Sequence, residues 1–180
     1  MVIAILGYPF AGKHALAEEL AARLAMRMIA MDQVRETIEH GSSEWALRAR
    51  TLVSEGRLLP DLLAGELLWE AAGGDGAIIV GRPRNLEELV AFERVSGRVP
   101  FVIHLEASQA LVDQRMATAG LGASEAEHPG ALRRISQALQ PMLIRAGDAG
   151  RLLTLDASQP IEELVKSATP FIEQLRPFAG

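Results

Sequence analysis

The chain has 180 residues, 49% hydrophobic and 23% charged, with a net charge of −5 at pH 7; this suits one globular domain with a sizeable core and argues against non-specific nucleic-acid binding as its main role. It has no cysteine, which excludes disulfides, thiolate metal sites and thiol catalysis. No apolar run approaches the ~20 residues that span a bilayer, and the first one ends at Gly7, too soon for a signal peptide, so a cytoplasmic protein with neither membrane nor nucleic-acid partners is expected.

Apolar runs alternate with helical patterns along the chain. Val2–Leu6 reads as a buried parallel strand. Gly12–Met26 follows as a helix with its stripe at Leu16, Leu20 and Leu24. Arg27–Ala30 is a short second strand, and 31–73 is mostly helical, broken by "HGSS" and "EGRLLPD". Ala77–Val80 is a third strand, followed by the turn "GRPRN" and a helix over Leu86–Val95. Pro100–Leu105 is a fourth strand and Ser108–Ala119 a helix; the polar stretch "GLGASEAEHPG" then leads to a helix over Ala131–Ala146. Leu152–Leu155 is the fifth strand and Ile161–Leu175 the last helix. Strands alternating with helices predict a five-stranded parallel α/β sheet covered on both faces. The segments 31–73 and 120–130, where this alternation fails, are candidate insertions. Ligands in such folds bind beyond the carboxyl ends of the strands, where Gly7, Gly81 and Glu106 fall.

The most informative stretch is "GYPFAGKHA", Gly7 to Ala15, which fits G-x-x-x-x-G-K between a strand and a helix. A glycine turn opening a helix presents unpaired backbone N–H groups, and the helix dipole adds partial positive charge there. Gly7 and Gly12 admit close approach of a phosphate, and Lys13 reaches the outer phosphates. The Ser or Thr that normally follows the lysine is absent: His14 and Ala15 stand there, without the hydroxyl that coordinates Mg²⁺.

Other chemistry-bearing residues have simpler readings. His104 falls on a buried strand and reads as a core histidine, while His40 and His128 fall in loops with no metal-spaced partner. Trp45 and Trp69 lie at helical spacing among leucines and read as packing. Glu125, Glu127 and Asp148 read as a solvated surface. Asp32 has two readings, a helix N-cap or a carboxylate near a metal.

Taken together in order and spacing, these segments resemble the adenylate kinase and wider nucleoside monophosphate kinase family over nearly the whole chain. The family loop G-x-P-G-x-G-K-G-T is matched at Gly7, Pro9, Gly12 and Lys13. Its G-D-x-[LVI]-R is similar to "MDQVR", giving Asp32 and Arg35, and its G-x-L-V-P-D to "GRLLPD", which includes Leu58 and Leu59. Its D-G-F-P-R-T is similar to "VGRPRN", keeping Gly81, Pro83 and Arg84. "VIHLEASQALVDQRM" places Arg115 at the family's first lid arginine, "ALRRI" places Arg134 after the lid, and "LLTLDASQP" places Gln159 in the adenine-proximal loop.

The resemblance implies a P-loop NTPase fold of one domain, with a nucleoside monophosphate (NMP)-binding flap at 31–73 and a short lid at 120–130. It implies the reaction ATP + NMP ⇌ ADP + NDP, with ATP and Mg²⁺ as cofactors and a monomer acting on small-molecule nucleotides. The donor would lie against Gly7, Pro9, Phe10, Ala11, Gly12, Lys13, His14, Ala15, Arg115 and Gln159. The acceptor would meet Asp32, Arg35, Leu58, Leu59, Gly81, Arg84 and Glu88. Lys13, Arg84, Arg115 and Arg134 would carry catalysis, neutralising charge on two anions held in line. No residue is expected as a direct metal ligand.

Six departures bear on that expectation. Phe10 replaces a loop glycine, Ala15 a threonine, Val80 the acid that organises waters around Mg²⁺, and Arg82 a phenylalanine. Glu88 sits where a glutamine reads the adenine of AMP, and would offer a base only acceptors. The lid segment lacks two arginines, position 119 being Ala. Losing one electrostatic donor commonly costs ~10²–10³ in rate, unless Arg82 points into the cleft and compensates. Two rival functions therefore accompany the kinase: a catalytically weak or inactive nucleotide-binding module serving as sensor or partner subunit, and a P-loop kinase for a non-nucleotide metabolite.

Overall fold

The structure, a computed structural model, describes residues 1–74, 76–120 and 129–175. Five strands form one parallel sheet: β1 (Val2–Gly7), β2 (Arg27–Ile29), β3 (Ala77–Val80), β4 (Phe101–Glu106) and β5 (Leu152–Asp156), in the order β2-β3-β1-β4-β5. β1 lies at the centre, with Ile3–Gly7 in register with Phe101–Leu105 on one side and Val2–Ile5 with Ala77–Val80 on the other. Its residues are apolar on both faces because helices cover both.

Eight helices are found among the described residues: α1 (Lys13–Leu24), α2 (Met31–His40), α3 (Glu44–Ser54), α4 (Asp61–Ala72), α5 (Leu86–Ser96), α6 (Gln109–Thr118), α7 (Pro129–Asp148) and α8 (Ile161–Leu175). Side-chain alternation along β1 sorts them. Ile3 and Ile5 join a core with Leu16 and Leu20 of α1, Val112 of α6 and Leu164 and Ile172 of α8. Ala4 and Leu6, on the opposite face, pack with Leu89 of α5 and Leu139 and Met142 of α7. At the β2 edge a third cluster joins Val34, Ala46, Leu63, Leu67 and Phe92, so α2–α4 share one core with the sheet.

Boundaries differ from the sequence expectation at element ends, where propensity is weakest. α1 starts at Lys13, with Gly12 as a left-handed N-cap. β4 begins at Phe101 and extends to Glu106, and α7 begins at Pro129. His40 is the last residue of α2, not a loop residue. Asp32 is not the N-cap of α2; Ala30 is, and its N–H donates to the Gln33 side chain at 2.9 Å. His104 is half-buried on β4, and burial lowers its pKa below 6.5 against the opposing pull of Glu106. Trp69 meets Phe92 edge-on at 5.6 Å, and Trp45 packs partly buried on the same cluster. Asp148 is exposed, while Glu125, Glu127 and His128 lie outside the described residues.

Two close approaches require glycine. At Gly7, φ is +145° and an added methyl would lie 2.5 Å from the Leu105 carbonyl oxygen, so only glycine lets β1 end against β4. At Gly65, in α4, an added methyl would lie 2.3 Å from the Glu88 carbonyl oxygen and 2.6 Å from Ala91 Cβ. α4 thus rests directly on the start of α5. Gly65→Ala is expected to destabilise the protein by about 1–3 kcal/mol through overpacking, read as a lowered denaturant midpoint; an unchanged midpoint would mean α4 and α5 are not packed this closely.

Candidate active site

The turn between β1 and α1 is built on backbone geometry unusual for its sequence. Gly7 and Gly12 have positive φ as expected, and so does Phe10, at φ 61°. A left-handed non-glycine residue costs roughly 1–2 kcal/mol, so Phe10 holds this conformation against local preference. No side chain caps α1, although Ser43, Asn85 and Ser108 cap α3, α5 and α6. The first-turn N–H groups of α1 are thereby left open at the positive end of the helix dipole.

Lys13, first residue of α1, donates from Nζ to the Tyr8 carbonyl at 2.6 Å across this turn. Burial pushes its pKa below 10.5, because the half-buried ammonium is partly desolvated. The sign follows: the folded protein releases this proton before the unfolded chain does. The penalty on folding is therefore full below the folded pKa and is relieved as pH rises toward 10.5.

Two clefts open on either side of Lys13. One, of about 500 Å³, is lined by Gly7, Pro9, Lys13, Gly81, Arg84 and Arg134, with Leu139 among the apolar residues at its α7 wall. The other, of about 520 Å³, is lined by Phe10, Ala11, Gly12, Lys13, His14 and Ala15 on one side and by Arg115, Ala157 and Gln159 on the other. Both lie at the carboxyl ends of the strands, as doubly wound sheets favour. The resemblance put all of the second cleft's lining except Ala157, Ile161 and Leu164 beside the donor.

Arg115 spans the second cleft. Its Nη1 donates to the Phe10 carbonyl at 3.0 Å and its Nη2 to the Ala157 carbonyl at 2.8 Å. It thereby ties the β1–α1 turn to the β5–α8 loop. That loop is stabilised by Asp156, whose Oδ1 accepts from the Ser158 N–H at 2.9 Å. This bond holds the Asp156 carboxyl below its usual range, so its contribution is present above pH 3.8 and is lost as pH falls through the lowered folded pKa.

The acceptor-side residues divide. Gly81 and Arg84 line the first cleft. Asp32 and Arg35 instead face solvent on α2, 3.6 Å apart and 84% and 70% exposed. Leu58 is 94% exposed, and Leu59 packs against the α2–α4 cluster. Glu88 corrects the expectation of an open acceptor for a base: its side chain is 0% exposed and both oxygens are occupied. It pairs with Arg82 Nη1, accepts from the Arg84 backbone N–H at 2.9 Å and from Arg84 Nε at 3.2 Å. Arg82 consequently turns toward Glu88 and is not among the residues lining the cleft, so it does not stand in for a missing lid arginine. Asn85 went unnoticed in the sequence; it caps α5 by accepting from the Glu88 N–H at 2.9 Å. The pattern Asn85-x-x-Glu88 was the available signal, since an acid three residues after a cap reaches back toward the helix start, here to the Arg84 N–H.

Mg²⁺ finds few ligands here. Neither cleft lining includes a carboxylate or a hydroxyl side chain, Val80 is buried, and no cluster of three His, Asp or Glu residues among those described is arranged to hold an ion. A hard dication takes oxygen ligands of that kind, so the residues present do not fit a protein-held Mg²⁺.

No helix among the described residues is long and apolar enough to cross a membrane. No family model matches the chain. It is similar to the adenylate kinase of Pseudothermotoga lettingae, with 30% identity over 125 residues, covering 64% of this chain and 57% of that protein. It is also similar to adenylate kinase 1 of Synechocystis, with 26% identity over 178 residues, covering 93% and 95% of the two chains. A probable UMP-CMP kinase 1 of Arabidopsis thaliana is 25% identical over 174 residues, or 92% and 85%. The match spans little more than half the length, 57%, of the Pseudothermotoga protein and of adenylate kinases from Rickettsia akari and Rickettsia bellii. With an all-parallel sheet, a glycine turn opening α1 at Lys13 and these likenesses, the chain is adenylate kinase-like and divergent, similar to nucleoside monophosphate kinases.

Proposed function

We propose that the chain transfers the terminal phosphoryl group of ATP to a nucleoside monophosphate, with the cleft at Arg115 and Gln159 taking the donor and that at Arg84 and Arg134 the acceptor. The observation that carries this reading is Lys13, whose side chain lines both clefts. A phosphoryl group passing between them would stay within reach of one ammonium. In the reaction the acceptor phosphate oxygen forms a bond to the γ-phosphorus as the bond to the β–γ bridging oxygen breaks. Lys13 exchanges the Tyr8 carbonyl for phosphate oxygens, and Arg84 and Arg134 neutralise the acceptor side by forked hydrogen bonds. Mg²⁺ has its place in this reading only within the ATP complex itself. The α2–α3 pair is proposed as the moving part of the acceptor flap. It is held to α4 by a Ser43–Glu70 hydrogen bond, and to itself by Arg50, which donates to the Ile38 and Gly41 carbonyls. The expected lid at 120–130 falls mostly outside the described residues.

A second reading, a nucleotide-binding module with little transfer, is favoured by the lack of carboxylate and hydroxyl groups in both clefts and by the engagement of Arg115 with two carbonyls. A coupled assay with ATP and AMP, UMP, CMP or GMP separates the two. Turnover of about 1 s⁻¹ or more fits the enzyme, whereas ATP binding without transfer fits the module.

Substitutions at three positions test the assignments. Lys13→Ala is expected to lower turnover by about 10²–10³. In the unaltered protein ATP affinity should fall as pH climbs toward 10.5, starting earlier than for an exposed lysine, and Lys13→Arg should remove that fall; a flat pH profile would contradict the role of the ammonium. Arg84→Ala should raise the acceptor KM by about tenfold or more with the ATP KM nearly unchanged, and equal kinetics would place the acceptor elsewhere. Phe10→Gly should tighten ATP binding at nearly constant Tm, because lost left-handed strain and added unfolded-chain freedom offset each other; unaltered ATP affinity would clear the ring of crowding the phosphates.

A further inference from the structure

We propose that Glu88 is a positioning residue: the sealed Glu88 carboxylate, paired with Arg82, holds the Arg84 guanidinium in the cleft shared with Lys13 and Arg134. The inference rests on the reading of that cleft as the acceptor-phosphate site.

Glu88 is the only fully buried charged residue among those described. A carboxylate out of water persists only when its oxygens are matched by donors. Arg82, whose side chain is 15% exposed, supplies one full counter-charge through Nη1. Charge balance in the interior is complete with that pair alone. Arg84 is nonetheless bound twice, through its backbone N–H to Oε2 at 2.9 Å and through Nε to Oε1 at 3.2 Å.

Gripping an arginine by its backbone and its Nε fixes the direction of the chain between them. The two Nη nitrogens, the fork that matches phosphate oxygens, carry no other hydrogen bond among the described residues. The Arg84 side chain is 60% exposed and lines the cleft. One buried carboxylate therefore anchors the near edge of an otherwise free guanidinium and leaves its outer edge for a ligand.

The anchor is itself held by its backbone. Asn85 Oδ1 accepts the Glu88 N–H, and the Glu88 carbonyl lies against Gly65 of α4, where no methyl fits. Arg82 also prevents Glu88 from cancelling Arg84: the three side chains together carry one net positive charge, and the exposed member of the cluster delivers it. Preorganising a guanidinium in this way lowers the ordering cost of binding a phosphate.

The test compares full-chain variants by calorimetric titration with AMP and UMP as acceptor probes and by separate KM values for ATP and acceptor. Glu88→Gln is expected to weaken acceptor binding by about tenfold to hundredfold, with the ATP KM within about twofold of the parent. The double variant Arg82→Met with Glu88→Met removes the buried pair without leaving an orphan charge. It is expected to keep a near-parental Tm and still bind acceptor as weakly as Glu88→Gln, and it remains readable if the single variant fails to fold. Parental acceptor affinity in the double variant, or equal losses for ATP and acceptor in Glu88→Gln, would reduce Glu88 to a structural role and overturn the inference. Arg84→Ala tells the two levels apart. If it weakens acceptor binding while the double variant does not, the positioning role alone fails; if it leaves acceptor binding unchanged, the acceptor reading fails and takes the inference with it.

Discussion

Four cationic side chains, Lys13, Arg84, Arg115 and Arg134, converge on one end of a parallel sheet in a chain whose net charge is −5. Like charges facing shared clefts repel, and partial desolvation makes the repulsion stronger. How the protein engages each of them governs the rest of the site. Lys13 leans on the Tyr8 carbonyl, Arg115 on the carbonyls of Phe10 and Ala157, and Arg84 on the carboxylate of Glu88. Each acceptor is a neutral dipole or an already paired charge, so the positive potential of the cleft is kept.

That arrangement links the fold to the site through a few rigid joints. The approach of β1 to β4 at Gly7 sets where the β1–α1 turn begins. The contact of α4 with α5 at Gly65 sets where Glu88 sits, and Glu88 in turn sets Arg84. Arg115 fastens the turn to the β5–α8 loop, whose Asp156–Ser158 bond shapes the far wall. Elements far apart in sequence therefore meet at the two clefts through backbone carbonyls more than through side-chain pairs.

The departures from the family pattern fall into two physical kinds. Ala15 and Val80 remove oxygen ligands, and nothing among the cleft-lining residues replaces them. Arg82 and Glu88 act as a pair: Arg82 supplies a counter-charge to the sealed Glu88 carboxylate, and together they close a position that the sequence presents as open. The first kind leaves the clefts without hard oxygen ligands, while the second fills the wall beside Arg84 with a buried ion pair.

Much of the architecture was legible in the sequence. Continuous apolar runs marked strands buried on both faces, the leucine stripe of α1 marked a covering helix, and the glycine spacing before Lys13 marked an open helix start. These signals are local, because they depend on backbone period and on the conformational freedom of glycine. Direction and pairing of charged side chains were not legible. That Arg82 turns inward, that Glu88 is sealed, that Arg35 and Asp32 face solvent, and that Phe10 adopts a left-handed conformation all depend on contacts from distant segments. The sequence by itself determined the strand and helix alternation and the glycine turn before Lys13; the tertiary structure alone decided which cations face the clefts, because burial and partner geometry outweigh any preference a charged residue has on its own.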